Sequence, residues 1–236
     1  HRQVAGYLAR FSRSIPPMAL GGTSGMTLMQ DALQNSAVGV SVTQVPENLN
    51  ILATQDCAAV IWQRRPLPAF QAWIDGLGSA VLPSTRQILK PQDVDTVLSQ
   101  VCDTSSVLDG SHWRHLIEDI AELSKLFCNL MAAPYVRVRL EPITSNACCK
   151  FHIDAITARL VCTYRGTGTQ YGISHDGAEP ERIFTVLTGT PILLRGTLWP
   201  EQPRSGLLHR SPPIEGSGET RLVLVLDPIF DLEEEI

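Results

Sequence analysis

The chain has 236 residues, 44% hydrophobic and 18% charged, with a net charge of −5, the profile of a globule able to bury one sizeable core. No lysine or arginine stripe accompanies this mild acidity, so the footprint of a nucleic-acid or anionic-membrane binder is missing, and no run approaches the roughly 20 apolar residues of a spanning helix. Six cysteines (57, 102, 128, 148, 149 and 162) are scattered through the chain rather than set in a small disulfide framework, so reduced thiols and a cytoplasmic location are expected.

Residues 1–48, rich in Gly, Ser, Thr and Asn around "IPPMALGGTSG", show neither helical nor strand periodicity and predict a poorly ordered arm with one short helix near Thr27 to Gln34. Its opening "HRQVAGYLARFSRS" has no apolar h-region and starts on His, which reads as a trimmed or extended end. One domain is expected over 49–236, with 49–133 as helical support and 134–236 as a β core. "CAAVIWQR" predicts a buried strand, and "LPAFQAWIDGL" a short helix begun by Pro66 or Pro68 and ended near Gly76 or Gly78. "KPQDVDTVLSQVC" carries Pro91 in its first turn, and "SHWRHLIEDIAELSKLFCNLMAA" sets Trp113, Leu116, Ile117, Ile120, Leu123, Phe127 and Leu130 on one stripe, the pattern of a core-facing helix.

At Pro134 the period changes from helix to strand. "YVRVRLEPI" alternates Val136, Val138 and Leu140 with Arg137 and Arg139; "KFHIDAITARLVCTYRG", "RIFTVLT", "TPILLRGTLW", "GLLHRSP" and "TRLVLVLDP" follow as short strands between Gly, Pro and Ser turns, which predicts a sandwich or barrel. "RGTGT" lacks the Gly-Lys-Ser/Thr ending of a phosphate loop and reads as a turn. The acidic end "DLEEEI" is a solvated tail.

The stretch "FHIDAITARLVCTYRGTGTQYG" carries the chemistry. Side chains at i and i+2 of a strand share a face, so His152 and Asp154 offer an imidazole and a carboxylate side by side. A third ligand is needed, and "GLLHRSPPIEGSGETRLVLVLDP" supplies His209, with Arg221 opening the last strong strand. In a double-stranded β-helix an early strand brings its His-x-Asp opposite a histidine of the penultimate strand, giving a two-histidine, one-carboxylate set with open positions. Arg159, a further candidate for holding a cofactor, sits on an apolar run and needs either solvent or an anion partner, a substrate or a structural carboxylate. Cys148 shares strand parity with His152 and Asp154, which leaves Zn(II) open as the metal; Ser211 beside a histidine has no nucleophile elbow around it.

His-x-Asp, then His, then Arg, in a β context, resembles the Fe(II)/2-oxoglutarate dioxygenases. The resemblance implies an α+β chain with a double-stranded β-helix (jelly-roll, cupin-like) core and a helical N-terminal buttress, metal ligands His152, Asp154 and His209, and Arg221 clamping the distal carboxylate of the small-molecule cosubstrate 2-oxoglutarate. Tyr164 is placed to bond the same carboxylate, or else is a half-buried strand aromatic. The segments "FHIDAITARLVCTYRGTGTQY" and "HRSPPIEGSGETRLVLVLDP" are also similar to those of a bacterial family, the domain of unknown function numbered 1826, over roughly residues 50 to 230. That likeness implies a link to zinc homeostasis and a metallochaperone-type GTPase as partner. A non-catalytic zinc-binding accessory protein and a degenerate β-helix serving as a binding module are the competing expectations.

Overall fold

The alternation that begins at residue 135 builds a sheet larger than the β half of the sequence alone would supply. The computed structural model describes residues 36–103, 110–174 and 178–233; the helix expected near Thr27 to Gln34 lies outside them. The strands are β1 (Ser36–Ala37), β2 (Gly39–Thr43), β3 (Cys57–Trp62), β4 (Thr85–Leu89), β5 (Tyr135–Ile143), β6 (Ala158–Arg165), β7 (Gln170–Ile173), β8 (Phe184–Thr185), β9 (Ile192–Arg195), β10 (Arg204–Ser205), β11 (Leu207–Arg210) and β12 (Arg221–Ile229). The helices are α1 (Pro68–Gly76), α2 (Val94–Asp103) and α3 (Gly110–Met131).

A seven-stranded sheet runs in the order β2-β3-β9-β6-β12-β5-β4, and a three-stranded sheet in the order β11-β7-β8. His152 makes an isolated antiparallel bridge to His209 of β11, so the 151–154 segment lies along the free edge of the small sheet. From β5 onward the chain shuttles between the two: β5 large, the 152 segment small, β6 large, β7 and β8 small, β9 large, β11 small, β12 large. This is a mixed α/β fold around a large sheet.

Each central strand of the large sheet sorts its residues onto two faces. Leu160, Cys162 and Tyr164 of β6 and Leu222, Leu224 and Leu226 of β12 join Phe70 and Ile74 of α1 and Leu116, Ile120, Leu123 and Phe127 of α3 in one buried cluster. That is the helix-facing core, and the α3 stripe read at the 3.6 period supplies much of it. Val161 of β6 and Val223 of β12 instead join Leu207 of β11 and Val186, with Tyr171 and Ile173 of β7 packed against them, in a second cluster between the sheets. Strand parity thus assigns Arg159, Val161 and Thr163 of β6 and the odd-numbered residues of β12 to the inter-sheet face, while the register shift beyond Thr163 turns Arg165 to the helix side, where its Nη1 donates to the Leu77 carbonyl.

Two boundaries differ from the sequence expectation. The segment up to residue 48 is not all arm: β2, Gly-Val-Ser-Val-Thr, pairs in parallel with β3, its β-branched residues suiting a pleated edge better than the surrounding Gly, Ser and Asn suggest. Residues 49–133 supply β4 in addition to the expected strand β3, and the two extend the large sheet on opposite sides of β5 to β12. β4 carries Arg86 and Gln87 exposed beside half-buried neighbours, which conceals its period.

Candidate metal centre

His152 and His209 exchange both backbone hydrogen bonds, each N–H donating to the other's carbonyl at 3.0 Å. Residues paired in this way project side chains to the same face, and the two rings lie 4.6 Å apart between centroids. Phe151, one residue earlier, stacks under the Arg210 guanidinium at 4.3 Å, which fixes the register from the other face. Asp154 follows two residues after His152, and its carbonyl accepts from Thr197 N at 2.9 Å as the chain crosses the end of β9. Gly196 permits that crossing: a Cβ there would stand 1.9 Å from the Ile156 carbonyl oxygen and 2.8 Å from that of Asp154.

The result is a cluster of His152, Asp154 and His209 whose ligand atoms all lie within 4.8 Å of one another. His152 Nε2 is 3.5 Å from Asp154 Oδ1, and His209 Nε2 is 3.0 Å from Asp154 Oδ2. Oδ2 is buried and satisfied by no hydrogen bond, since the His209 contact is misaligned for one. His152 Nδ1 lies 2.8 Å from the Lys150 carbonyl; a carbonyl only accepts, so Nδ1 carries the proton and Nε2 keeps its lone pair. Burial pushes the Asp154 carboxyl up, but His152, His209 and Arg159 together hold it well below the usual range. Burial in turn draws His209 below its ordinary value, whereas the Asp154 contact raises His152. An ionised carboxylate beside a neutral buried imidazole is the protonation state a metal requires. Two imidazole nitrogens and the orphaned, buried Asp154 Oδ2 fit a divalent cation.

Arg221 is wholly buried on the inter-sheet face. Its Nε donates to the Thr167 carbonyl at 2.6 Å, Nη2 lies 3.4 Å from Thr163 Oγ1, and Nη1 has no partner. Among the described residues it makes no salt bridge, and burial, against the attraction of Glu219, lowers its pKa to about 10. Asp227, six residues along β12 and therefore roughly 20 Å away on the same face, is not its partner. That carboxylate belongs to Arg159, whose Nε donates to Oδ1 at 2.7 Å and Nη2 to Oδ2 at 3.0 Å. Arg159 Nη1 also bonds Asp154 Oδ1.

Two assignments from the sequence need correction. Tyr164 does not face the site: its even position in β6 sends it to the helix side, where its hydroxyl donates to Asp119 of α3 at 2.5 Å and the same carboxylate takes both Arg64 Nη atoms at 2.5 and 2.6 Å. Arg159 is not a free anion receptor, because two protein carboxylates occupy it and it positions Asp154. Nor does a thiol join the cluster: Cys148 is exposed, Cys149 half-buried, and neither belongs to the ligand group among the described residues. Thr163 was passed over in the sequence, though it shares the parity of Arg159 that the alternation of β6 reveals.

Residues 43–227 match the family described as "Protein of unknown function (DUF1826)". The chain belongs to that family. No curated protein matches this family member. Among solved structures, dioxygenase for auxin oxidation 1 of Arabidopsis thaliana, in its complex with 2-oxoglutarate, aligns with a TM-score of 0.50 at 10% identity over 83% of this chain and 94% of that one. The rice dioxygenase for auxin oxidation aligns at 0.47 and 11% identity over 81% and 83%, and an oxidoreductase of the 2OG-Fe(II) oxygenase family from Burkholderia pseudomallei at 0.35 and 13% over 91% and 99%. At such identities the likeness concerns the fold, and the Arabidopsis alignment is the one that carries it. Among the described residues no helix is long and apolar enough to cross a membrane.

Proposed function

We propose that this chain is an Fe(II)/2-oxoglutarate-dependent oxygenase on a double-stranded β-helix, with His152, Asp154 and His209 as the metal ligands and Arg221 as the cosubstrate clamp. The observation that carries it is the Arg221 guanidinium. A bare metal store has no need of a buried cation, whereas a dicarboxylate cosubstrate supplies the missing anion. Two histidines and a carboxylate without a thiolate suit Fe(II) chemistry with open positions better than a closed zinc site, and the 2-oxoglutarate complex of the Arabidopsis neighbour agrees with that assignment.

The protein's part is positional. His152 is oriented through Nδ1 by the Lys150 carbonyl, Asp154 is held in place by Arg159, and Arg159 is itself fixed by Asp227. Thr163 and the Thr167 carbonyl hold the Arg221 side chain in place, leaving Nη1 for an incoming carboxylate. Val161, Leu194, Leu207 and Val223 wall the space between the sheets with apolar surface and keep bulk water from it. Bound Fe(II) and 2-oxoglutarate would supply the dioxygen activation and C–H oxidation that these side chains lack.

The test is anaerobic addition of Fe(II) and 2-oxoglutarate to the purified chain. The weak visible absorption band of a 2-oxo acid on Fe(II) should develop, and Arg221→Ala should require far more cosubstrate to reach it. No band at millimolar 2-oxoglutarate, with Fe(II) shown to be bound, refutes the reading.

A further inference from the structure

The inter-sheet face of the large sheet sets two arginines directly against each other, away from the cosubstrate clamp. Val136, Val138 and Leu140 of β5 point to the helices, so Arg137, Arg139 and Glu141 point the other way. Arg86 of β4 stands directly opposite Arg139 in the β4–β5 register. Asp227 lies between the strands: its Oδ1 takes Arg159, and its Oδ2 lies 3.3 Å from Arg139 Nη2 and 4.0 Å from Arg137 Nη1. A continuous chain of ion pairs therefore runs from the metal ligand Asp154 through Arg159 and Asp227 to Arg139, near the β4 edge of the sheet.

Leaving Arg137 aside, Arg86, Arg139 and Arg159 face Asp154, Asp227 and Glu141. These are equal in number, and the two charges of a divalent cation on Asp154 would be matched by those of 2-oxoglutarate, so what distinguishes this face is the placement of Arg139 and Arg86 rather than a net charge. Arg139 bears the strain. Burial first, then repulsion from Arg159 and Arg86, pulls its guanidinium below the ordinary value despite Asp227, and its Nε is buried without a partner. Like charges directly opposite on neighbouring strands destabilise a sheet. Arg159 alone suffices to position Asp154, so that role does not require Arg139 or Arg86.

Resting on the oxygenase reading, we infer that the substrate entering beside the metal carries an anionic group, a phosphate or a carboxylate, received by Arg139 with Arg86 at the rim. The test uses the full chain loaded with Mn(II) and saturated with 2-oxoglutarate. Inorganic phosphate is titrated in one series and acetate in another, read through paramagnetic relaxation of the phosphorus and carboxyl-carbon nuclei. At least one anion should show saturable relaxation beyond that of Mn(II) in buffer, and the tighter of the two identifies the group. Its affinity should fall with added NaCl and drop about tenfold or more in Arg139→Gln, by a larger factor than 2-oxoglutarate affinity does. Arg86→Gln, at an exposed position, should weaken it by a smaller factor. Relaxation no greater than in buffer, or an affinity indifferent to salt and to both substitutions, overturns the inference. Should Arg139→Gln not fold, the salt series and Arg86→Gln decide. If 2-oxoglutarate fails to bind while phosphate or acetate still responds to Arg139, the oxygenase reading falls and the anion site stands.

Discussion

The two faces of the large sheet are built from the same strands and differ in almost every physical respect. Toward the helices, β6 and β12 present Leu160, Cys162, Leu222, Leu224 and Leu226 to α1 and α3, and the polar network there, Arg64 with Asp119 and Tyr164, is closed on itself. Toward the small sheet the same strands present Arg159, Thr163, Arg221 and Asp227 around a smaller apolar cluster, and Asp154 Oδ2, Arg139 Nε and Arg221 Nη1 are buried without hydrogen-bond partners. The helix side has orphans too, Trp113 Nε1 and Gln71 Oε1, but those are neutral groups, whereas the three on the small-sheet side belong to charged groups, whose unsatisfied atoms cost more unless a ligand arrives. The contrast makes one face the foundation and the other the workplace, and substitutions on the two should separate cleanly.

The largest separation should come from His209→Ala. Removing one of three ligands takes away affinity and facial geometry together, so the Fe(II)–2-oxoglutarate band should vanish, while the urea midpoint of the metal-free protein changes little. Next, Phe127→Ala on α3 should lower stability by about 3–5 kcal/mol through transfer and cavity costs, measured by urea unfolding, with metal affinity of the folded fraction retained. Arg221→Met should divide the two properties in opposite directions. Cosubstrate affinity should fall by about 100-fold, equivalent to roughly 2.7 kcal/mol, yet the thermal midpoint of the metal-free protein should rise, because an apolar side chain replaces a buried cation with no ion-pair partner. A lower midpoint would mean that Arg221 is a structural member of the core.

The last effect is a pH dependence on the helix side. Burial pushes the Cys128 and Cys162 thiols up to about 12 from 9.0. Unfolded thiols ionise from about pH 9 while the folded ones stay protonated, so stability is complete below pH 9 and declines from there toward 12, by up to ~1.4 kcal/mol per thiol per pH unit. Unfolding midpoints at pH 8 and 10.5 should show the decline, and Cys128→Ala should remove its share of the slope.

The helical stripe of α3 was legible by its period, and the strand "CAAVIW" and the late strands β9, β11 and β12 were legible as apolar runs between turn residues. The triad was legible because His-x-Asp and His209 keep their order in the chain. Tyr164 was misplaced for a definite reason: "ARLVCTYR" sorts Ala158, Leu160, Cys162 and Tyr164 onto one face and Arg159, Val161 and Thr163 onto the other, but it does not say which face looks toward the metal ligands, and that is fixed only by the packing of α1 and α3 against the even-numbered side. Asp227 could be suspected as a partner of Arg221 by proximity in sequence, but on a strand six residues are a long distance. β7 was hidden behind the turn "RGTGT" because four residues containing a glycine carry too little alternation to register.

The single rung joining His152 to His209 has a consequence for how the site is held shut. Both ligands belong to one pair of backbone hydrogen bonds, and the 152 segment meets the small sheet at that rung without forming a longer strand. A cation held by both rings would therefore lace the free margin of the sheet across the same two residues, so that letting go of the ion and letting the hem fray would be one motion.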